Sequence, residues 1–302
     1  MITEIQRFSL NDGDGIRTTV FFQGCNMACA WCHNPEAVAP GPVLLTYMEK
    51  CMGCGRCAEA CPSGARHIED GDLFYDRRSC LACGACADVC FAGALELAGR
   101  DVPTASILDE VLKDKPYYDQ PVKDGRAPGG VTLSGGEAFL QSKACLNLLK
   151  AAREAGVSTG VESCLNVPWA LIEQALPYID LLMFDLKIMD EAEHVRWTGV
   201  SNRQILENLD RLAQTDVPLI ARTPVIPGAT DSIGNIEAIA ERLRGIPNLR
   251  YYELLNYNPL GAGKYRALGL PYAFEDARPL SGEAMDILKH AAESKGVAVR
   301  IG

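Results

Sequence analysis

QGCNMACAWCHNPE, residues 23–36, carries Cys25, Cys29 and Cys32 at C-x3-C-x2-C spacing. Three thiolates leave a four-iron cluster one ligand short, since a [4Fe–4S] cluster held for electron transfer takes four Cys. A cluster on three protein ligands keeps one iron open. An open metal position is where a small molecule is bound and activated, as in catalytic zinc sites. Zinc itself is the rival reading, with the adjacent His33 as fourth ligand, although structural zinc sites usually pair C-x2-4-C with a distant second pair. The residues just before the triad, TTVFFQG (18–24), are a β-branched and aromatic run that reads as a strand, so the triad falls at a strand end.

Beyond about residue 101, strand-like and helix-like segments alternate. Candidate strands are GVTLS near Val131, VSTGVES near Gly160, IDLLMFDLK near Met183, VPLIARTPV near Ala221 and LRYYELL near Tyr252. Between them, residues 142–156 and 235–245 place apolar side chains at three- and four-residue intervals and close on Gly156 and Gly245, as helices do. Such alternation predicts an α/β fold with a parallel sheet covered by helices. With the strand at 18–23 there are six β/α units, too few for a closed eight-stranded barrel. The expected architecture is therefore an open, partial (β/α)6 barrel built from residues 1–42 and 98–302. Reacting groups in such folds collect at the carboxyl ends of the strands.

The chain has 302 residues, 48% of them apolar and 23% charged, and a net charge of -10. An acidic protein is poorly suited to non-specific nucleic-acid binding, which needs Lys and Arg to displace counterions. The N-terminal MITEIQRFSL carries Glu4 and Arg7 and lacks a secretory apolar core. No run approaches the ~18 apolar residues of a membrane span, so the expectation is a cytoplasmic protein with no membrane partner. Of 13 Cys, 11 lie between Cys25 and Cys90. Disulfides are disfavoured in the cytosol, so this clustering points to metal binding or catalysis. Cys145 and Cys164 stand apart and read as small buried hydrophobes.

Residues 43–97 differ from the rest. Gly and Cys dominate, and CMGCGRCAEACP is repeated as CLACGACADVCF, which marks a separate inserted module. Cys51, Cys54, Cys57 and Cys61, followed by Pro62, match the bacterial ferredoxin run; Cys80, Cys83, Cys86 and Cys90 repeat it with Phe91 in place of Pro. In two-cluster ferredoxins the fourth Cys of each run serves the other cluster. The expected ligand sets are Cys51, Cys54, Cys57 and Cys90 for one [4Fe–4S] cluster, and Cys80, Cys83, Cys86 and Cys61 for the other. Two zinc knuckles are the rival reading.

The triad resembles that of the radical S-adenosylmethionine (SAM) enzymes, whose open iron chelates the amino and carboxylate groups of SAM. The longer stretch DGDGIRTTVFFQGCNMACAWCHNPE (12–36) is similar to the N-terminus of the glycyl radical enzyme activating enzymes, the family that includes pyruvate formate-lyase activase. Their usual pattern is DGPGIRT, and Asp14 stands here in place of Pro. Further matches run through Gly261. The resemblance implies catalysis at Cys25, Cys29 and Cys32, flanked by Trp31 and His33. It implies SAM contacts from Gly135, Gly136 and Glu137 in SGGEAF, from Asp185, Leu186 and Lys187 in FDLK, from Arg222, and from Asn258 in YNPLG, where the family commonly has His. Glu162 and Ser163 fall where the family has an Asp–Thr pair that, with a residue matching Met183, binds a monovalent cation. On the residues alone plainer readings stand beside these: a core Trp31, a strand-to-helix turn at SGGEAF, a solvated turn at Asp–Leu–Lys and a structural Arg222.

The function so implied is that of an oxidoreductase. SAM is cleaved reductively to a 5′-deoxyadenosyl radical, which removes hydrogen from a backbone glycine of a partner glycyl radical enzyme. A flavodoxin or ferredoxin would deliver the electron, the two auxiliary clusters would relay it, and the enzyme would work as a monomer. Pyruvate formate-lyase activase lacks the insert, which suggests a partner other than pyruvate formate-lyase. Two alternatives are an iron–sulfur electron-transfer protein and a radical SAM enzyme acting on a peptide or small molecule. An electron carrier has no use for the GGE and DLK segments, and peptide-modifying relatives usually carry their auxiliary Cys after the barrel.

Overall fold

Along 17–22 the side chains alternate between two environments: Val20 and Phe22 point into a helix-covered core, and Arg17, Thr19 and Phe21 point the other way. The computed structural model describes residues 1–120 and 128–302. Its strands are β1 (Ile2–Ser9), β2 (Arg17–Phe22), β3 (Val43–Thr46), β4 (Arg66–Glu69), β5 (Asp72–Tyr75), β6 (Leu95–Ala98), β7 (Gly130–Gly135), β8 (Ser158–Ser163), β9 (Leu181–Asp185), β10 (Leu219–Val225), β11 (Leu249–Asn256) and β12 (Val299–Ile301).

Eight strands form one sheet in the order β1-β2-β7-β8-β9-β10-β11-β12. Every pair from β2 to β12 is parallel, and β1 lies antiparallel on β2. The expected strands are β2 and β7 to β11; β1 and β12 correct the expected six to eight. Both additions are edges. β1 is mostly exposed and carries Glu4 and Arg7, as edge strands do, and β12 is three residues long; neither leaves a hydrophobic alternation in the sequence.

One sheet face, with Val131, Leu133, Leu182, Phe184, Ala221 and Leu254, is buried under helices that contribute Leu148, Leu209, Ile239 and Leu288. On the other face, Leu181, Met183, Ile220 and Tyr251 make a small apolar cluster. There Arg17 lies fully buried, with Nε donating to Thr132 Oγ1 at 2.6 Å and Nη2 to the Val131 carbonyl at 2.6 Å. Burial pushes its pKa down to about 10. This face is concave. Arg222 on β10 donates to the Asn11 carbonyl in the β1–β2 turn, and Arg250 on β11 pairs with Asp14 in the same turn. The sheet thus curls until its first turn meets strands four and five places along, without closing. Gly15 is required in that turn: its φ is +69° and a Cβ would lie 2.4 Å from the Gly129 amide nitrogen. Asp14, standing where Pro is usual, holds the turn by its ion pair.

Between β2 and β7 lies a smaller unit. β3 pairs with β6 and β4 with β5, both antiparallel, and the short helices Arg56–Glu59 and Ala85–Asp88 complete it. It docks on the larger unit through Leu45 and Ala98 against Ala267 and Leu268, and through Arg77 Nη2, which donates to the Ala267 carbonyl at 2.8 Å. Among the described residues, no helix is long and apolar enough to cross a membrane.

Asp114, at the junction of the helices Thr104–Lys113 and Lys115–Tyr118, is fully buried. It accepts Arg7 Nε at 2.9 Å and Thr18 Oγ1 at 2.7 Å, and Tyr118 Oη donates to Thr18 Oγ1 at 2.8 Å. Burial pushes the Asp114 carboxyl up, but the hydrogen bonds from Arg7 and Thr18 outweigh it and hold it below its usual value. Asp114 is buried but its partner Arg7 reaches solvent, so Asp114→Asn lowers unfolding stability at neutral pH by the order of a hydrogen bond to a charged group, about 1.5 kcal/mol. A depressed carboxylate stabilises only while ionised. The deficit is therefore full above the unfolded value of about 3.9 and shrinks as pH falls through the folded value. Urea titrations of wild type and variant across that range check it; a pH-independent deficit would refute the ionic account.

Candidate active site

The carboxyl ends of the parallel strands open into one cavity of about 320 Å³. Cys25, Cys29 and Cys32 line it together with Trp31, His33, Gly135, Gly136, Glu162, Asp185 and Lys187. The triad loop is pinned from three sides. Gly24 N–H donates to the Ala37 carbonyl at 2.7 Å and Cys25 N–H to the Val38 carbonyl at 3.0 Å. Ala28 and Ala30 N–H groups donate to the carbonyls of Thr198 and Trp197 at the end of the helix Glu191–Thr198. Gln23 Nε2, buried, donates to the carbonyls of Glu36, Ala39 and Gly41 at 2.9, 2.7 and 2.9 Å. Lys264 Nζ holds Asn34 Oδ1 at 2.9 Å and pairs with Glu36, which accounts for the HNPE segment.

The three thiols line the wall of this chamber, and the Met27 N–H lies 3.4 Å from Cys25 Sγ. Among the described residues, no three His, Cys, Asp or Glu side chains converge on a single ion position. All-thiolate donors around a roomy chamber, with a backbone N–H directed at sulfur, suit a multi-iron cluster.

The charged groups are arranged in pairs. Lys187 Nζ is bonded to Asp185; burial would lower the ammonium's pKa, and the Asp185 carboxylate reverses that and keeps it protonated. Glu162 Oε1 accepts Arg222 Nη1 at 2.9 Å, and Glu162 Oε2 accepts Ser134 Oγ at 2.6 Å. Burial pushes the Glu162 carboxyl up, but Arg222 and Ser134 outweigh it and hold it below the usual range. Arg222, 3% exposed, also donates from Nε to Glu253 Oε2 at 2.8 Å and from Nη2 to the Asn11 carbonyl.

Several expected contacts lie elsewhere. Arg222 sits beneath Glu162, outside the cavity wall, with all three nitrogens engaged. Glu137 is fully buried and turned from the cavity. Its carboxylate accepts the Phe139 N–H at 3.1 Å, the Ser163 hydroxyl at 2.8 Å and the Cys164 N–H at 2.8 Å, tying the end of β7 to that of β8. Leu186 packs in the helix-covered core because it alternates with Asp185 and Lys187 along the chain. The Asn258 side chain is exposed and accepts the Leu260 N–H at 3.0 Å; the Asn258 backbone is what meets His33. The expected cation position beside Glu162 already holds the Arg222 guanidinium, and the Ser163 hydroxyl is turned to Glu137. Cys164, read from sequence as a buried hydrophobe, is buried but lines the cavity together with Cys25. Trp31 is both core and wall: it packs with Ile188, Ile226, Tyr257 and Phe274 while facing the chamber.

Gly135 and Gly136 are glycine because the end of β2 and the start of the triad loop pass close by. A Cβ on Gly135 would lie 2.2 Å from the Phe22 amide nitrogen, and one on Gly136 would lie 2.3 Å from the Gly24 carbonyl oxygen. The Gly136 and Glu137 N–H groups donate to the carbonyls of Phe22 and Gly24 at 2.9 and 2.8 Å.

The smaller unit has two cavities of its own. Cys51, Cys54, Cys57 and Cys90 line one; Cys61, Cys80, Cys83 and Cys86 line the other. The fourth Cys of each run thus lies with the first three of the other. Backbone N–H groups approach sulfur in both: Gly53 to Cys51 at 3.5 Å, Ala82 to Cys80 at 3.4 Å and Arg66 to Cys61 at 3.3 Å.

Residues 11–223 match a family model described as a 4Fe-4S single cluster domain. The chain is 39% identical over 287 residues to the (2S)-3-sulfopropanediol dehydratase activating enzyme of Klebsiella oxytoca, covering 92% of this chain and 88% of that one. It is 33% identical over 305 residues to the pyruvate formate-lyase 2-activating enzyme of Escherichia coli, covering 100% of this chain and 92% of that one. That second alignment runs through the insert, so the insert does not by itself point away from a pyruvate formate-lyase partner. A radical SAM methyltransferase from Sphaerobacter thermophilus shares the fold, with a TM-score of 0.56 over 100% of this chain and 76% of that one at 14% identity. With the triad, the strand-end cavity and these full-length relatives in agreement, the chain belongs to the glycyl radical enzyme activating enzymes of the radical SAM superfamily.

Proposed function

We propose that this chain activates a partner glycyl radical enzyme, using a [4Fe–4S] cluster on Cys25, Cys29 and Cys32 with SAM on its open iron. The observation that carries this reading is the single cavity in which the triad meets Gly135, Gly136, Asp185 and Lys187. When bound, cluster and SAM supply a 5′-deoxyadenosyl radical that takes hydrogen from a backbone glycine of the partner.

The chain's own residues bind and shield. Lys187 is the cation available to the SAM carboxylate, and its pairing with Asp185 fixes where it points. The Gly136 N–H is already used within the fold, so this strand end offers carbonyl oxygens, which suit the SAM ammonium. Trp31 and the aromatic side chains behind it keep water from one wall. Arg222 serves as a built-in counter-charge for Glu162 where relatives of the resemblance would place a monovalent cation. The smaller unit would carry two further [4Fe–4S] clusters on its crossed cysteine sets, relaying an electron from a flavodoxin or ferredoxin.

Cys29→Ala abolishes 5′-deoxyadenosine formation while the irons of the smaller unit remain. Product formation at the wild-type rate, followed by chromatography, would reject the triad assignment. The crossed sets are separable by spectroscopy: Cys90→Ala removes the same paramagnetic signal as Cys51→Ala, and Cys61→Ala the same as Cys80→Ala. If Cys90→Ala instead matched Cys80→Ala, each run would hold its own cluster. Replacing potassium with tetramethylammonium leaves SAM cleavage unchanged; a loss restored by potassium would reinstate a cation beside Glu162.

A further inference from the structure

The two halves of the smaller unit align without a gap as CMGCGRCAEACPSGAR (51–66) and CLACGACADVCFAGAL (80–95). At the last position the repeat breaks its own chemistry: Leu95 in one half, Arg66 in the other. Both are buried, and Arg66 is only 2% exposed. Leu95 lines one cysteine cavity, whereas Arg66 lines both.

The Arg66 guanidinium is held firmly. Nη2 donates to Thr46 Oγ1 at 2.6 Å, and the planar group lies over the Tyr75 ring at 4.0 Å from its centroid. Arg66 shares the wall of one cavity with Cys57 and the wall of the other with Cys86, one buried thiol from each. Nε is buried with no partner. Among the described residues, no carboxylate pairs with this cation. A buried guanidinium without counter-charge is costly, and an apolar side chain is what the repeat itself uses at this place. Four-thiolate iron–sulfur clusters are anionic, and their potentials respond to nearby charge and to hydrogen bonds on sulfur.

We propose that Arg66 is a positioning residue shared by two iron–sulfur clusters, a fixed positive charge between them that raises both reduction potentials. This rests on the reading that the two cysteine sets hold clusters. A cation close to both favours adding an electron to either. Arg suits the task because its charge is permanent and its planar fork can stack and donate at once.

The test is an anaerobic redox titration of the fully loaded enzyme, followed by electron paramagnetic resonance, with iron counted per chain. Arg66→Leu, the residue of the sister repeat, and Arg66→Gln lower the potentials of the clusters in the smaller unit by about 60 mV or more, a tenfold change in the oxidised-to-reduced ratio for one electron. Arg66→Lys keeps the charge and titrates close to wild type. The SAM-responsive signal of the triad cluster keeps its potential in all three. If Arg66→Leu fails to assemble, Arg66→Gln against Arg66→Lys decides. Wild-type potentials in Arg66→Gln, or an equal drop in Arg66→Lys, overturn the proposal. Wild-type protein with only triad iron would overturn the cluster reading itself, a separate outcome.

Discussion

Arg222 stands where the curl of the sheet is decided. Its guanidinium joins Glu162 on β8, Glu253 on β11 and the Asn11 carbonyl before β2, so strands spread across the sheet are drawn to one buried point. A buried charge must be compensated by good geometry or it destabilises, and two carboxylates and a carbonyl supply that geometry. The bridge ties Glu162, which lines the cavity, to β11 and the β1–β2 turn. Arg17 does similar work deeper in, bonding β7 from β2 on the same concave face.

Around that cavity the short motifs acquire their meaning. Gly136, just after β7, allows the start of the triad loop at Gly24 to approach closely. Glu137 then ties the same strand end to β8. The loop is further clamped by Gln23, Lys264 and the end of the helix Glu191–Thr198, so three cysteines on an irregular segment are held by backbone and side-chain bonds rather than by regular structure. Rigid support of this kind is what a reactive site requires of its surroundings. The smaller unit repeats the logic at another scale: tight loops aim N–H groups at sulfur, and the fourth cysteine of each run lines the other run's cavity.

Motifs that depend on local spacing were open to reading. The triad, the doubled ferredoxin run, the six core strands and the helices closing on Gly156 and Gly245 all leave a periodic or punctuated trace. What escaped reading depends on contacts between residues distant in the chain. Arg222 and Glu162 are 60 residues apart. Lys264 and Glu36 are 228 apart. Cys164 gives no sign in sequence that it will sit beside Cys25. Glu137 and Arg222 are expected as ligand contacts because the family motif names them; the structure shows both buried and hydrogen-bonded within the fold. β1 and β12 went unseen because an exposed edge and a three-residue strand bury too little to impose alternation.

By itself, then, the sequence determined the chemistry: three thiolates short of four, eight more in ferredoxin spacing, and a β/α rhythm that puts strand ends on one side. Residue type and short-range spacing carry that information. Tertiary structure alone decided which charges face the cavity and which brace it. It also decided that one arginine of a near-symmetric repeat lines both cysteine cavities. Those outcomes follow from burial and long-range pairing, where desolvation forces each charged group to find its partner in space rather than along the chain.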